Sequence, residues 1–202
     1  MSNIIYFVGG GADKTRERFG FIRWGPTHLM GLVKAEFDAK KGPHSVTKYF
    51  GYLEKKAIID DIVNERKSRP NIRIHLVGHS RGGTVVKDIA MQSLPALNIR
   101  VQLVASLDPV KTKPSHRFSL HQGKQHANFE QFMCVFAKPK KRDFTDFVAM
   151  AGGQYGIRLK DLSDHFVQVD VNHGKPYAMM SAALDDSGIT IEEILLKESR
   201  SK

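Results

Sequence analysis

The sequence predicts an α/β fold: a mostly parallel sheet of about six strands with helices on both faces. Three observations lead there. Short apolar runs alternate along the chain with longer stretches whose apolar residues recur at helical spacing. The first run, Ile4-Ile5-Tyr6-Phe7-Val8, is apolar throughout, the mark of a strand covered on both faces. The stretch from Asn71 to Ala90 reads as strand, abrupt glycine-flanked turn and helix, the kind of connection from which parallel sheets are made.

Taken in order, the strand Ile4–Val8 runs into Gly9-Gly10-Gly11-Ala12-Asp13. Arg16 to Gly25 is mixed, with Phe19, Phe21 and Trp24 close together, and either flanks a site or packs. Pro26 suits the first turn of a helix that continues to about Asp38, with Leu29, Leu32, Val33 and Phe37 inward. Lys40-Lys41-Gly42-Pro43 breaks it, and Val46–Phe50 forms a second strand. Tyr52–Lys67 reads as an amphipathic helix with Leu53, Ala57, Ile58, Ile62 and Val63 inward. Ile72–Val77 is the third strand and Gly83–Leu94 the helix after it. Ile99–Leu107 and Phe132–Ala137 are further strands, separated by a polar loop, Lys111–Gln125. Phe144–Met150 is apolar, a short helix or a lid, and Ala151–Gly156 is a turn. Phe166–Val171 alternates as a half-exposed strand does. Helix returns over Tyr177–Leu184 and Ile191–Lys197.

The length of 202 residues without a composition break is expected to make one domain spanning 1–202. No run of about 18 apolar residues is present, so no membrane-spanning helix is expected. The N-terminus lacks the basic start and long apolar core of a secretory signal. The single cysteine, Cys134, excludes an internal disulfide framework and sits in an apolar strand as inert core. Synthesis in a reducing cytoplasm is the expectation, with export, if any, by a route that needs no cleaved signal. The formal net charge of +10 favours an anionic partner, and its densest cluster is Lys138-Pro139-Lys140-Lys141-Arg142. The aromatic interleaving of a single-strand nucleic-acid groove is missing, so no nucleic-acid partner is expected. No cofactor is expected, and no metal, since neither H-E-x-x-H nor paired cysteines occur.

The chemistry centres on Gly78-His79-Ser80-Arg81-Gly82. G-x-S-x-G between a strand and a helix is a nucleophile elbow. Its serine sits in a strained turn, and side chains two residues to either side would collide with that turn, so both are glycine. The helix that follows directs free N–H groups at any negative charge forming there, and the N–H of Arg81 is one candidate oxyanion donor. Two readings of the Gly9–Asp13 loop compete. As an oxyanion loop, Gly10 or Gly11 offers the second N–H. As a phosphate loop it is poor, because Asp13 stands where glycine should precede Lys14 and an acid there repels phosphate.

Serine needs a base, and the base an orienting acid. The assignments are Ser80 as nucleophile, His173 as base and Asp108 as the carboxylate that fixes its tautomer. The Gly9 loop, Ser80, Asp108 and His173 all follow strand ends, where parallel sheets gather their chemistry. His165, beside Asp164, is the rival base, with His116, His121 and His126 behind it. Asp170 is the rival acid. His75 and His79 read as packing or hydrogen-bonding residues.

The order Ser80, Asp108, His173 is that of the α/β-hydrolases, and here a resemblance becomes specific. The chain resembles a small α/β-hydrolase, and its motifs resemble those of lipases. Gly78-His79-Ser80-Arg81-Gly82-Gly83 is similar to the lipase elbow G-H-S-x-G-G/A. Leu107-Asp108-Pro109, ending the next strand, resembles the L-D-P acid motif of the pancreatic-lipase-like group. Asn172-His173 with Tyr177 four residues on is similar to that group's N-H-x-x-x-Y segment. The chain is shorter than those enzymes and lacks their disulfides, closer in build to minimal bacterial hydrolases. G-H-S-R-G-G with S-L-D-P-V also resembles antibacterial phospholipase effectors of type VI secretion, which lack cleaved signals. The resemblance implies a carboxylic ester hydrolase of lipase, esterase or phospholipase type. Its substrate would be a lipid or phospholipid ester, with peripheral contact to an anionic membrane and, for a secreted effector, an inhibitor or immunity protein. A basic anion-binding module and a catalytically silent hydrolase-fold binding protein are the alternatives.

Overall fold

The computed structural model describes residues 2–13, 27–112 and 128–200. Six strands form one sheet: β1 (Asn3–Gly9), β2 (Ser45–Gly51), β3 (Arg73–His79), β4 (Val101–Leu107), β5 (Phe129–Ala137) and β6 (His165–Val169), in the spatial order β2-β1-β3-β4-β5-β6. Every pairing is parallel. The helices are α1 (Leu29–Asp38), α2 (Lys55–Ser68), α3 (Arg81–Asp88), α4 (Phe144–Ala151), α5 (Pro176–Met180) and α6 (Ile191–Arg200).

The apolar runs dictate the layering. Along β1 every side chain is buried, because alternate residues enter two different cores. Ile4, Tyr6 and Val8 join Ile58 and Ile62 of α2 and Val85 and Val86 of α3 on one face. Ile5 and Phe7 join Val33 and Phe37 of α1, Met179 and Met180 of α5, and Leu195 of α6 on the other. That is the period of two in a strand meeting helices above and below.

The strand order has one reversal, and it places the site. From β1 the chain crosses to β2 on one side, then returns past β1 to β3 and continues outward through β6. The loops after β1 and β3 therefore leave neighbouring strands at the carboxyl edge in opposite directions and open a crevice between them. Gly10 lies in the first loop and Ser80 in the second.

Several boundaries differ from the sequence reading. The first helix begins at Leu29 rather than at Pro26, which lies outside the described residues with the Phe19–Trp24 cluster. Its start is set from elsewhere in the chain: Asp13 accepts the N–H of Leu29 at 2.9 Å and of Met30 at 3.2 Å, the work an N-cap residue normally does. Leu32 and Leu53, expected inward, are exposed. Leu53 belongs to a separate short 3₁₀ turn, Tyr52–Glu54, so its phase is not that of α2. The elbow helix ends as α at Asp88 and finishes in a π turn, Ile89–Ser93.

Candidate active site

Ser80 takes φ 57° and ψ −124° at the apex between β3 and α3. This left-handed strain is held by backbone bonds to the neighbouring strand end: Ser80 N–H donates to Leu107 O at 2.9 Å, and Val110 N–H donates to Ser80 O at 3.1 Å. The flanking glycines are required by contact. A Cβ on Gly78 would lie 2.3 Å from Gly82 O, and one on Gly82 would lie 2.3 Å from Val8 O. The elbow is thus wedged against both β1 and β4.

Asp108, just past β4, is fully buried and has φ 43°. Its carboxylate is surrounded by donors. His173 Nδ1 lies 2.6 Å from Oδ2, Ala137 N–H donates to Oδ1 at 3.1 Å, and Gln154 Nε2 reaches Oδ1 at 2.6 Å and Oδ2 at 2.8 Å. A carboxylate only accepts, so Nδ1 of His173 carries a proton, and in the neutral ring Nε2 is the nitrogen that holds the lone pair.

His173 is itself held at both backbone poles. Its N–H donates to Asp146 Oδ1 at 2.7 Å. Its carbonyl accepts from His79 Nε2 at 2.8 Å, with the two rings 4.6 Å apart. Since a carbonyl only accepts, His79 is the Nε2–H tautomer and is neutral. Burial, with a smaller contribution from His173, pushes its pKa well below the ordinary histidine value. Asp146, on the inner side of α4, also accepts Asn172 Nδ2 at 2.7 Å and the N–H of Asp143 at 2.8 Å. Burial works to raise its pKa, but the bond from Asn172 and those from the backbone N–H groups outweigh it and hold the carboxyl below the usual range.

The structure brings Ser80, His173, Gly10, Gly11 and Arg81 to one cleft of about 420 Å³, with Asp108 buried behind His173. Among the described residues no hydrogen bond joins Ser80 Oγ to His173. The oxyanion candidates are not equivalent. The N–H of Gly10 already donates to Asp13 Oδ2 at 3.3 Å. A Cβ on Gly10 would stand 2.9 Å from Ser80 Cβ, so this residue acts by letting the loop approach. Gly11, under the side chain of Arg81, and Arg81, the first residue of α3, remain as the candidate donors.

The rival residues stand elsewhere. His165 begins β6, the edge strand three places from β3, level with Val77 rather than with Ser80, and its Nδ1 lies 3.7 Å from Asp185. Asp170 is bound to the N–H of Lys140 at 2.7 Å. His116, His121 and His126 lie outside the described residues. Cys134 is buried against β4, and burial raises its thiol pKa. Among the described residues no group of three or more His, Cys, Asp or Glu converges to hold a metal. Sequence reasoning missed Asp146 and Gln154. Both come from the segment read as an apolar helix and a turn, and their polar side chains in that apolar stretch were the available signal.

A parallel six-stranded sheet carries an elbow serine after its third strand, an acid after its fourth and a histidine after its sixth. The fold is α/β-hydrolase-like. Among solved structures, the chain is similar to a protein from Xanthomonas campestris pv. campestris described as a hydrolase of the α/β superfamily. The identity is 12% and the TM-score 0.46, with 86% of this chain and 88% of that one covered. It is similar also to the NocB thioesterase domain, at 13% identity and TM-score 0.47, covering 100% and 96%. An acetyl xylan esterase is similar at 16% identity and TM-score 0.39, covering 79% and 94%. At these identities the likeness concerns the fold alone. No family model matches the chain, and no curated protein matches it.

Proposed function

We propose that the chain is a serine hydrolase that cleaves carboxylic esters through an acyl-enzyme on Ser80. The observation that carries this reading is the Asp108–His173 bond at 2.6 Å, made by a histidine that lines the same cleft as Ser80. In the reaction, His173 Nε2 takes the Ser80 proton as Oγ bonds to the ester carbonyl carbon. The carbonyl oxygen becomes an oxyanion facing the N–H groups of Gly11 and Arg81. The carbon–oxygen bond to the alcohol then breaks, and the alcohol leaves with the proton from His173. Water repeats the sequence: His173 takes its proton, the hydroxyl oxygen attacks the acyl carbon, and Ser80 departs reprotonated with release of the acid. Asp108 stays ionised throughout and stabilises the imidazolium.

A lipid or phospholipid ester is the preferred substrate class. The lipase-like motifs favour it, and so does a cleft wall built from Phe144, Val148 and Ala149. The competing phosphate-loop reading fits poorly. Asp13 is buried within that loop and its carboxylate occupies the Gly10 N–H that a phosphate would use.

Labelling with a fluorophosphonate probe tests the reading. The wild-type chain is expected to label, and Ser80→Ala and His173→Ala to lose labelling while keeping their circular dichroism spectra. A folded wild type that neither labels nor hydrolyses soluble or vesicle-borne esters overturns it.

A further inference from the structure

α4 turns its apolar residues the wrong way for a core helix. Phe144, Phe147, Val148 and Ala151 follow the spacing i, i+3, i+4, i+7 of a single helical face, and that face is outward. Phe144 is 79% exposed, Phe147 57%, Val148 51% and the adjacent Met150 47%. The inner face is carried by Asp146 and Ala149. A helix whose polar residue is buried and whose phenylalanines meet solvent is built for a second, apolar surrounding.

The charge beside it says which. The loop entering α4 carries Lys138, Lys140, Lys141 and Arg142, all exposed, and Lys175 is exposed in the loop that follows His173. Lys140 pairs with Asp170, leaving the loop strongly cationic overall. Exposed aromatic residues flanked by a basic cluster match an anionic lipid surface, with apolar side chains entering the acyl boundary and cations meeting headgroups. The patch is also continuous with the cleft, because Phe144 and Val148 line the mouth that holds Ser80 and His173.

We propose that the outer face of α4, with the Lys138–Arg142 loop, docks the protein on an anionic phospholipid bilayer and sets the cleft mouth against it. The proposal rests on the hydrolase reading only for what happens after docking. Docking itself is measured on a Ser80→Ala background, so its failure and that of the hydrolase reading are told apart.

The experiment is co-sedimentation with vesicles of phosphatidylcholine alone and of phosphatidylcholine mixed with phosphatidylglycerol. The mixed vesicles are expected to bind the chain at least about tenfold more tightly. Phe147→Asp and the double variant Lys138→Glu/Arg142→Glu, neither in the catalytic machinery, are each expected to weaken that binding about tenfold or more. Both should hydrolyse a soluble short-chain ester at the parent rate when Ser80 is restored. Equal binding to the two vesicle types, no binding to either, or binding untouched by both variants overturns the proposal. So does a chain that sediments as a dimer which Phe147→Asp dissociates, because a second copy would then cover the face.

Discussion

Asp146 Oδ1 accepts the backbone N–H of His173 at 2.7 Å. The bond ties the inner side of α4 to the residue after β6 that supplies the proposed base, and Oδ2 holds the adjacent Asn172 side chain. Asp146 does not reach the cleft chemistry. It acts by fixing where the imidazole can stand. Replacing it with alanine is expected to lower kcat on a soluble ester about ten- to hundredfold with little change in KM, the signature of a displaced base. Asp146→Asn, which keeps one acceptor oxygen, should lose less. Steady-state kinetics on the two variants checks the order.

Gln154 bears on the other end of the same chain of contacts. Its amide reaches both oxygens of Asp108 and, at 3.3 Å, the carbonyl of Ala137. Gln154→Ala leaves a fully buried carboxylate short of a donor and is expected to reduce kcat/KM about tenfold. Gln154→Glu sets a second carboxylate against the first and should cost more, with the deficit growing as pH rises and the new acid ionises. A pH–rate profile of the two variants separates lost bonding from added charge.

Two buried histidines make stability sensitive to mild acid. Burial, aided by the charge of Arg73, pushes His75 down to about 3, and burial with His173 pushes His79 well below the ordinary 6.5. Below pH 6.5 the unfolded chain takes up a proton at each position and the folded chain does not. Stability is therefore full above that value and falls as pH drops below it, by about 1.4 kcal/mol per pH unit for each group. Asp146 adds a second loss further down. Its folded pKa is lowered, so its contribution is present above the ordinary 3.8 and fades as pH falls through the lowered value. Urea unfolding between about pH 7 and about pH 5 should show the first slope. His75→Leu should remove roughly half of it.

Gly82 tests the elbow as a packing device. A Cβ there would meet the carbonyl oxygens of Val8 at 2.3 Å and of Gly9 at 2.7 Å, both backbone and unable to turn aside. Gly82→Ala is expected to cost about 1–3 kcal/mol of stability or more and to abolish fluorophosphonate labelling. Unchanged labelling in a folded Gly82→Ala chain would show that the elbow does not depend on its contact with β1.

How much of this was readable in the chain depends on how local the cause is. The strand Ile4–Val8 and the elbow around Ser80 are written in consecutive residues, and they stand where the sequence put them. The meeting of Asp108 with His173 followed from topology, since strand ends of a parallel sheet share an edge. The start of α1 was not readable. Its cap is Asp13, distant in the chain, and proline chemistry suggested an earlier start. Leu32 and Leu53 fit a helical period and yet face solvent, because spacing says which residues share a face and not which face is covered. Gln154 and Asp146 act on partners that only the fold brings near, and a polar residue in an apolar stretch marks a position without naming its partner. The Gly10 N–H was readable as a donor but not as one already engaged by Asp13.

The strand order also has a temporal consequence. β1 and β3 are neighbours at the middle of the sheet and carry the glycine loop and the serine, whereas β6 and the histidine after it lie at one edge. The chain therefore makes the glycine loop and the serine early and His173 late, while the elbow is braced by Leu107 of β4 and one face of β1 is completed only by Leu195 of α6. In the hydrolase reading, the nucleophile and its base come from segments that meet only when the sheet is whole, so no partial sheet can attack an ester. Turnover then serves as its own report that assembly is complete.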